Sequence, residues 1–276
     1  MKKALAGVRH IVLDLDGTVY KGSTLFPWTL DCLERFHQAG IGHTFLTNNT
    51  SHSKSDYVLR LRGMGIPASA EEIYTAADAT IDHLRLHLPD ASRIALLGTP
   101  SLREQFEHEG YHIDFESPQA VVVGFDTTLD YPRLCRAAWW ISRGLPYIAT
   151  HPDLVCPTDE PTVLIDCGAI CAALNAATGR KPVVLGKPDP AILAGIARKH
   201  GIAMKEIAMV GDRLYTDVVL AHRAGAVSVL VLSGEATQEE AAAFQPPPDL
   251  ILAHIGELGV AFGEAPNRNG SQISNQ

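Results

Sequence analysis

The sequence predicts an α/β fold: a parallel sheet flanked by helices, with a second α/β segment inserted into it. Three observations point there. Strand-like and helix-like stretches alternate along most of the chain; the apolar runs are too continuous for a sheet with one wet face; and the opening pattern resumes near residue 183 after a long interruption.

The first strand is Ile11-Val-Leu-Asp14, followed by Leu15, Asp16 and the turn pair Gly17-Thr18. So apolar a run suits a strand buried on both faces, and the glycine permits a sharp exit at its carboxyl end. An amphipathic stretch from Trp28 to Gln38, closed by Gly40, predicts a helix, and Gly42-His-Thr-Phe-Leu-Thr47 predicts the next strand. A helix over Ser53 to Met64 stops at Gly65. Residues 92–98, 119–125 and 146–150 read as strands of the insertion, with a helix from Ala169 to Ala177 ended by Gly179. After Lys181-Pro182 the first pattern returns: Val183-Val-Leu, a helix over 189–200, Ile207-Ala-Met-Val, a helix over 215–224, and a strand over 227–232. The expected domains are therefore a core of residues 1–78 plus 183–263, a cap of residues 79–182, and a polar tail, 264–276, expected to be disordered.

Composition narrows the function. The 276 residues are 46% hydrophobic and 20% charged, ordinary for a soluble protein of two domains. The net charge of -8 and the lack of a basic run argue against nucleic acid or an anionic membrane as partner. The amino terminus lacks the roughly 7 to 15 apolar residues of a signal peptide, and no run reaches the roughly 18 needed to span a bilayer, so a cytoplasmic location is expected. Five scattered cysteines do not suggest a disulfide framework; Cys167 and Cys171 read as buried packing, as does the pair Trp139-Trp140 within a helix-like stretch.

Four motifs carry chemistry. Asp14 and Asp16 are two apart, so on a strand they leave the same face and address one site. One can attack an electrophile while the other moves a proton, or both can hold a hard cation. Thr47-Asn48 ends the next strand, where a hydroxyl, an amide and backbone N–H groups at a helix start suit a phosphate oxygen, or simply cap the helix. Gly186-Lys187-Pro188 puts a cation directly after a strand; Pro188 where Ser or Thr should be excludes a P-loop. In Gly211-Asp212-Arg213-Leu214-Tyr215-Thr216-Asp217, Asp212 can ligate a divalent metal and Asp217 can ligate it or orient its water.

In this order and together, these motifs resemble the haloacid dehalogenase superfamily of phosphotransferases, and the insertion with Gly-Lys-Pro-Asp and Gly-Asp-Arg-Leu-Tyr-Thr-Asp resembles its NagD and para-nitrophenyl phosphatase branch. The resemblance runs from about His10 to Gly263 and implies a Rossmann-like core carrying an α/β cap. It implies that Asp14 attacks phosphorus to form an aspartyl phosphate and that Asp16 protonates the leaving oxygen and then activates water. It also implies that Mg²⁺ is held by Asp14, Asp212 and the backbone carbonyl of Asp16, with Asp217 behind them. Thr47, Asn48 and Lys187 match phosphate binders, and Arg213, Leu214, Tyr215 and Thr216 line the same pocket. Asp16 must hold a proton to act as an acid although its reference pKa is about 3.9; a neighbouring carboxylate and burial both push it upward. In the cap, His151-Pro-Asp153 stands where the branch has Asn-Pro-Asp, which makes His151 and Asp153 candidate specificity residues. The expected function is hydrolysis of a small phosphorylated metabolite, such as a nucleotide, sugar phosphate, phosphoglycolate or pyridoxal phosphate. A phosphomutase and a phosphometabolite-binding regulator without turnover are the alternatives, and exposed cap surface is a candidate homodimer interface.

Overall fold

The computed structural model describes residue 1 and residues 3–157 and 162–263; the tail 264–276 expected to be disordered lies outside the described residues. By its contacts the chain divides into two compact units, Met1–Thr44 with the chain from Ile202 onward, and Phe45–Gly201. The strand Gly42–Thr47 begins in the first and ends in the second.

In the first unit the strand His10–Asp14 pairs in parallel with Ile207–Gly211, which is followed outward by Val227–Val231 and Leu250–Leu252. The first two strands are buried along their whole length, as a parallel sheet covered on both faces requires. The register Leu13↔Val210 sets Asp14 and Asp212 at neighbouring strand ends. Helix Thr29–Gln38 packs against Ile255–Gly263: Phe36 meets Phe262 edge to face at 5.8 Å, and Gly259 lets the backbone of Cys32 approach. His10 Nε2 lies 2.8 Å from Thr44 Oγ1, a buried polar pair at the start of the strand Gly42–Thr47.

The second unit holds the end of that strand, paired in parallel with Ile73–Thr75, and a separate five-stranded parallel sheet. Its strand order is Val183–Val184, Tyr147–Ala149, Ala120–Val123, Arg93–Leu97, His112–Ile113. Side chains alternate across the sheet. Ile94, Leu96, Val122 and Ile148 pack with helices Ala76–His87 and Pro100–His108; Ala95, Leu97, Val121 and Val123 pack with Tyr131–Ser142 and Cys167–Thr178. Cys167 and Cys171 are buried in the second cluster, as expected. The tryptophan pair divides: Trp140 packs and donates Nε1–H to Phe115 O at 2.8 Å, whereas Trp139 is half exposed beneath Arg143.

Residues 48–53 cross the carboxyl ends of this sheet. Thr50 Oγ1 accepts from Phe125 N–H (2.9 Å) and lies 3.3 Å from Thr150 Oγ1, while Thr99 Oγ1 donates to Ser51 O (2.9 Å). The helix that follows, Lys54–Gly63, opens with a reciprocal capping box between Ser53 and Asp56. Among the described residues no helix is long and apolar enough to cross a membrane.

One close contact fixes the helix Ala191–His200. A Cβ at Gly195 would overlap the Tyr74 hydroxyl, which is itself bonded to Asp82 Oδ2 at 2.7 Å. On an open helix Gly→Ala stabilises by about 1 kcal/mol. Here Gly195→Ala is expected to destabilise by about 1–3 kcal/mol through overpacking, and less in a Tyr74→Phe background. Urea unfolding of the four proteins checks the sign and the coupling.

Candidate functional site

The first unit gathers three of the predicted acids. Asp14, Asp212 and Asp217 place carboxylate oxygens within 4.8 Å of one another, and Asp212 and Asp217 are almost wholly buried. Glycines make the room. A Cβ at Gly17, which sits at φ +86°, or at Gly234 would overlap the Asp212 carboxylate, and one at Gly211 would overlap that of Asp217. The turn after the first strand is closed by Gly17 N–H to Tyr20 O (2.7 Å) and tied down by Ser233 Oγ donating to Gly17 O (2.7 Å).

The backbone also supplies donors to these acids. Asp212 Oδ2 accepts from Glu235 N–H (2.7 Å), and Asp217 Oδ2 accepts from Arg213 N–H (3.1 Å). The helix expected over 215–224 begins instead as a π-helical turn, Leu214–Val218, before the regular turns of Val219–Ala224. The wider turn keeps the Asp217 carboxylate against Gly211. Burial, with Asp14 and Asp217 adding like charge, pushes Asp212 up to about 7. Its Oδ1 is buried with no hydrogen-bond partner among the described residues. Three hard oxygen donors, crowded charge and an orphaned buried oxygen together fit a divalent cation such as Mg²⁺.

The other residues predicted from this segment are more dispersed. Thr216 is buried with its Oγ1 lacking a hydrogen-bond partner, Arg213 pairs with Glu235 at 2.9 Å, Leu214 packs beside the buried Val218 and Leu230, and Tyr215 is 55% exposed. Asp16 corrects the sequence reading: it is exposed, accepting Gly22 N–H at 3.3 Å, because the chain has already left the sheet at the Gly17 turn.

The second unit gathers another set. Thr47 ends its strand, Asn48 follows it, and Thr47 Oγ1 accepts from Asn49 N–H at 3.1 Å. The Asn48 amide brackets the main chain of Lys187, accepting its N–H at Oδ1 (2.8 Å) and donating from Nδ2 to its carbonyl (3.0 Å). Nδ2 also donates to Asp153 Oδ2 at 3.3 Å. Lys187 is 4% exposed. Gly186, at φ +73°, makes the approach feasible, since a Cβ there would lie 2.8 Å from Asn48 Oδ1 and 2.7 Å from Thr150 O. His151 is wholly buried; its Nε2 donates to Asp166 Oδ1 and its Nδ1 lies beside Thr150 Oγ1, both at 2.8 Å.

Sequence reasoning missed Asp166, Thr50 and the Glu235 N–H. An aspartate before an apolar helical run signals the N-cap that Asp166 forms, but nothing local pairs it with His151. The Glu235 donor is a backbone group and leaves no side-chain signal.

Both parts of the α/β pattern match known families. A model described as haloacid dehalogenase-like hydrolase matches residues 11–112, and a HAD-hydrolase-like model matches residues 184–258. The 5'-nucleotidase YutF of Bacillus subtilis (strain 168) is 31% identical over 228 residues, covering 83% of this chain and 88% of that protein. Ribonucleotide monophosphatase NagD of Escherichia coli (strain K12) is 28% identical over 253 residues, covering 92% of this chain and 99% of NagD. Among solved structures, a 4-nitrophenylphosphatase from Thermotoga maritima aligns with TM-score 0.90 and 43% identity over 94% of this chain and 99% of that one.

The buried histidine has a measurable signature. Burial disfavours its charged form, but the Cys167 sulfur and the Asp166 and Asp153 carboxylates outweigh that and raise it to about 9. A folded pKa above the unfolded value near 6.5 stabilises fully below about pH 6.5 and is lost as pH rises through about 9. Thermal unfolding from pH 6 to 10 should show the stability gap between wild type and His151→Gln widest near pH 6 and narrowing through pH 9. A gap independent of pH would contradict the buried ion pair.

Proposed function

The chain belongs to the haloacid dehalogenase-like hydrolases, and from that premise we propose that it is a magnesium-dependent phosphatase acting on small phosphate monoesters through an aspartyl-phosphate intermediate. The observation that carries this reading is the Asp14, Asp212 and Asp217 cluster, with the orphaned Oδ1 of Asp212, at the carboxyl ends of parallel strands. Ligands of open α/β sheets bind at that edge.

In this reading an Asp14 oxygen attacks phosphorus and the bond from phosphorus to the substrate's ester oxygen breaks, with Asp16 donating a proton to the departing oxygen. Water then attacks the aspartyl phosphate, Asp16 takes its proton, and inorganic phosphate leaves with Asp14 restored. The Thr47 hydroxyl, the Asn48 main-chain N–H and the Lys187 ammonium hold the phosphate oxygens, and Arg213 to Thr216 line the pocket. Asp14, Asp212 and the Asp16 carbonyl would hold Mg²⁺, with Asp217 orienting that shell; the ion, when bound, would offset the negative charge that nucleophile and phosphate share. The exposure of Asp16 suits a group that must meet both a leaving alcohol and an incoming water. Residues 79–182 act as the cap that selects the alcohol portion of the substrate. A nucleotidase, a ribonucleotide monophosphatase and a nitrophenylphosphatase among the relatives support recognition centred on the phosphate.

Asp14→Asn is expected to reduce magnesium-dependent hydrolysis of 4-nitrophenyl phosphate to background, and Asp16→Asn to lower kcat by roughly 10²–10⁴-fold. Chelation by EDTA should abolish turnover and added Mg²⁺ restore it. Hydrolysis by Asp14→Asn at the wild-type rate would remove Asp14 as nucleophile, and a wild type silent across many phosphate esters would favour a binding role.

A further inference from the structure

The second unit contains a buried polar network that phosphate hydrolysis does not call for. His151 has no exposed surface, and Asp166 is 3% exposed. Asp166 Oδ1 accepts from His151 Nε2 (2.8 Å) and from Cys167 N–H (2.5 Å), which fastens the histidine to the first turn of helix Cys167–Thr178. The same turn grips the segment after the histidine. Gly168 N–H donates to Asp153 O at 2.8 Å, Asp166 N–H donates to Leu154 O at 3.0 Å, and a Cβ on Gly168 would overlap Pro152 O. Both His151 ring nitrogens are engaged, so His151, Asp153 and Asp166 form a hydrogen-bonded lock and not a vacant set of metal ligands.

This lock fixes Asp153, whose carboxylate accepts from Asn48 Nδ2 at 3.3 Å. The remaining amide donor and the Oδ1 acceptor of Asn48 are the two that bracket the Lys187 main chain. Both amide hydrogens and the amide oxygen of Asn48 thus have assigned partners, and Asp153 supplies the third of them. Without Asp153 one amide hydrogen loses its acceptor, and the bracket on the Lys187 backbone rests on two bonds in place of three.

We infer that His151, Asp166 and Asp153 are positioning residues for Lys187: they hold the Asn48 amide in the one orientation that brackets the lysine backbone, and so tune phosphate affinity without touching substrate. The inference rests on the proposed reading of Lys187 as a phosphate binder. It separates the Asn48 side chain, which serves the protein, from its main-chain N–H, which serves the ligand.

The test compares wild type, Asp153→Ala, Asp153→Asn and His151→Gln, measuring kcat and KM with 4-nitrophenyl phosphate and calorimetric binding of inorganic phosphate. Asp153→Ala removes the acceptor for Asn48 and is expected to raise KM, and weaken phosphate binding, by roughly tenfold while kcat changes less than about threefold. Asp153→Asn keeps an acceptor oxygen and should return KM to near the wild-type value. His151→Gln should follow Asp153→Ala in direction; should it fail to fold, the two Asp153 variants carry the test. If Asp153 instead acted by repelling phosphate, both of its variants would bind phosphate more tightly, which would overturn the inference. Unchanged KM and phosphate affinity in Asp153→Ala would overturn it too. A wild type that binds phosphate without turnover would count against the phosphatase reading alone, since phosphate affinity would still report on the clamp.

Discussion

Mutual repulsion among Asp14, Asp212 and Asp217 is the constraint around which the first unit is built. Three carboxylates within 4.8 Å, with Asp212 and Asp217 almost wholly buried, are unfavourable together in a low-dielectric setting. The surrounding structure answers that cost at every point where it can. Backbone N–H groups of Glu235 and Arg213 are turned toward Asp212 and Asp217, and glycines at 17, 211 and 234 let the chain close around the acids without a side chain in the way. What the protein leaves uncompensated, the Oδ1 of Asp212 and the upward pull on its titration, is what a divalent cation would correct. Strand pairing then becomes a chemical requirement. A slip of one residue in the register Leu13↔Val210 would turn Asp14 to the opposite face and dissolve the cluster.

The second unit applies the same geometry to polar recognition. Parallel strands end together, so the loops that leave them converge, and Thr50, Thr150 and Thr99 join those loops through hydroxyl bonds at the carboxyl edge of the five-stranded sheet. A loop as buried as 47–53 must account for its backbone and side-chain polar groups. It does so with capping and with the Asn48 bracket, and both rely on strand ends far apart in sequence.

How much of this was legible beforehand follows from how local each determinant is. The strand His10–Asp14, the acids at its end and the α/β alternation are written in consecutive residues, and they appear where periodicity and turn chemistry put them. The π-helical turn at Leu214–Val218 was not legible, because five residues fit either helical form, and it is the turn in which the Asp217 carboxylate lies against Gly211. Asp16 reads as buried when only its neighbours in sequence are considered, yet the Gly17 turn carries it into solvent. His151 reads as a loop residue near substrate; its partner is the cap of a helix fifteen residues on, a pairing that no window around His151 contains.

That contrast bears on how substrate range can change in such a protein. The acids and their glycines admit almost no substitution, since each glycine is filled from outside by a carboxylate. Asp153 stands one step back, bonded to the Asn48 amide that brackets the Lys187 main chain, and His151 is tied to the same segment through Asp166. On the proposed reading, a change there would alter how firmly the lysine is held and leave the order of bond making and breaking at phosphorus intact. The departure from the branch's asparagine to His151 falls at such a position: the imidazole spans Thr150 and Asp166 with two bonds at opposite ends of a rigid ring, a reach that a shorter amide does not have. On that reading, affinity for phosphate would drift through the lock while the carboxylate cluster stays fixed.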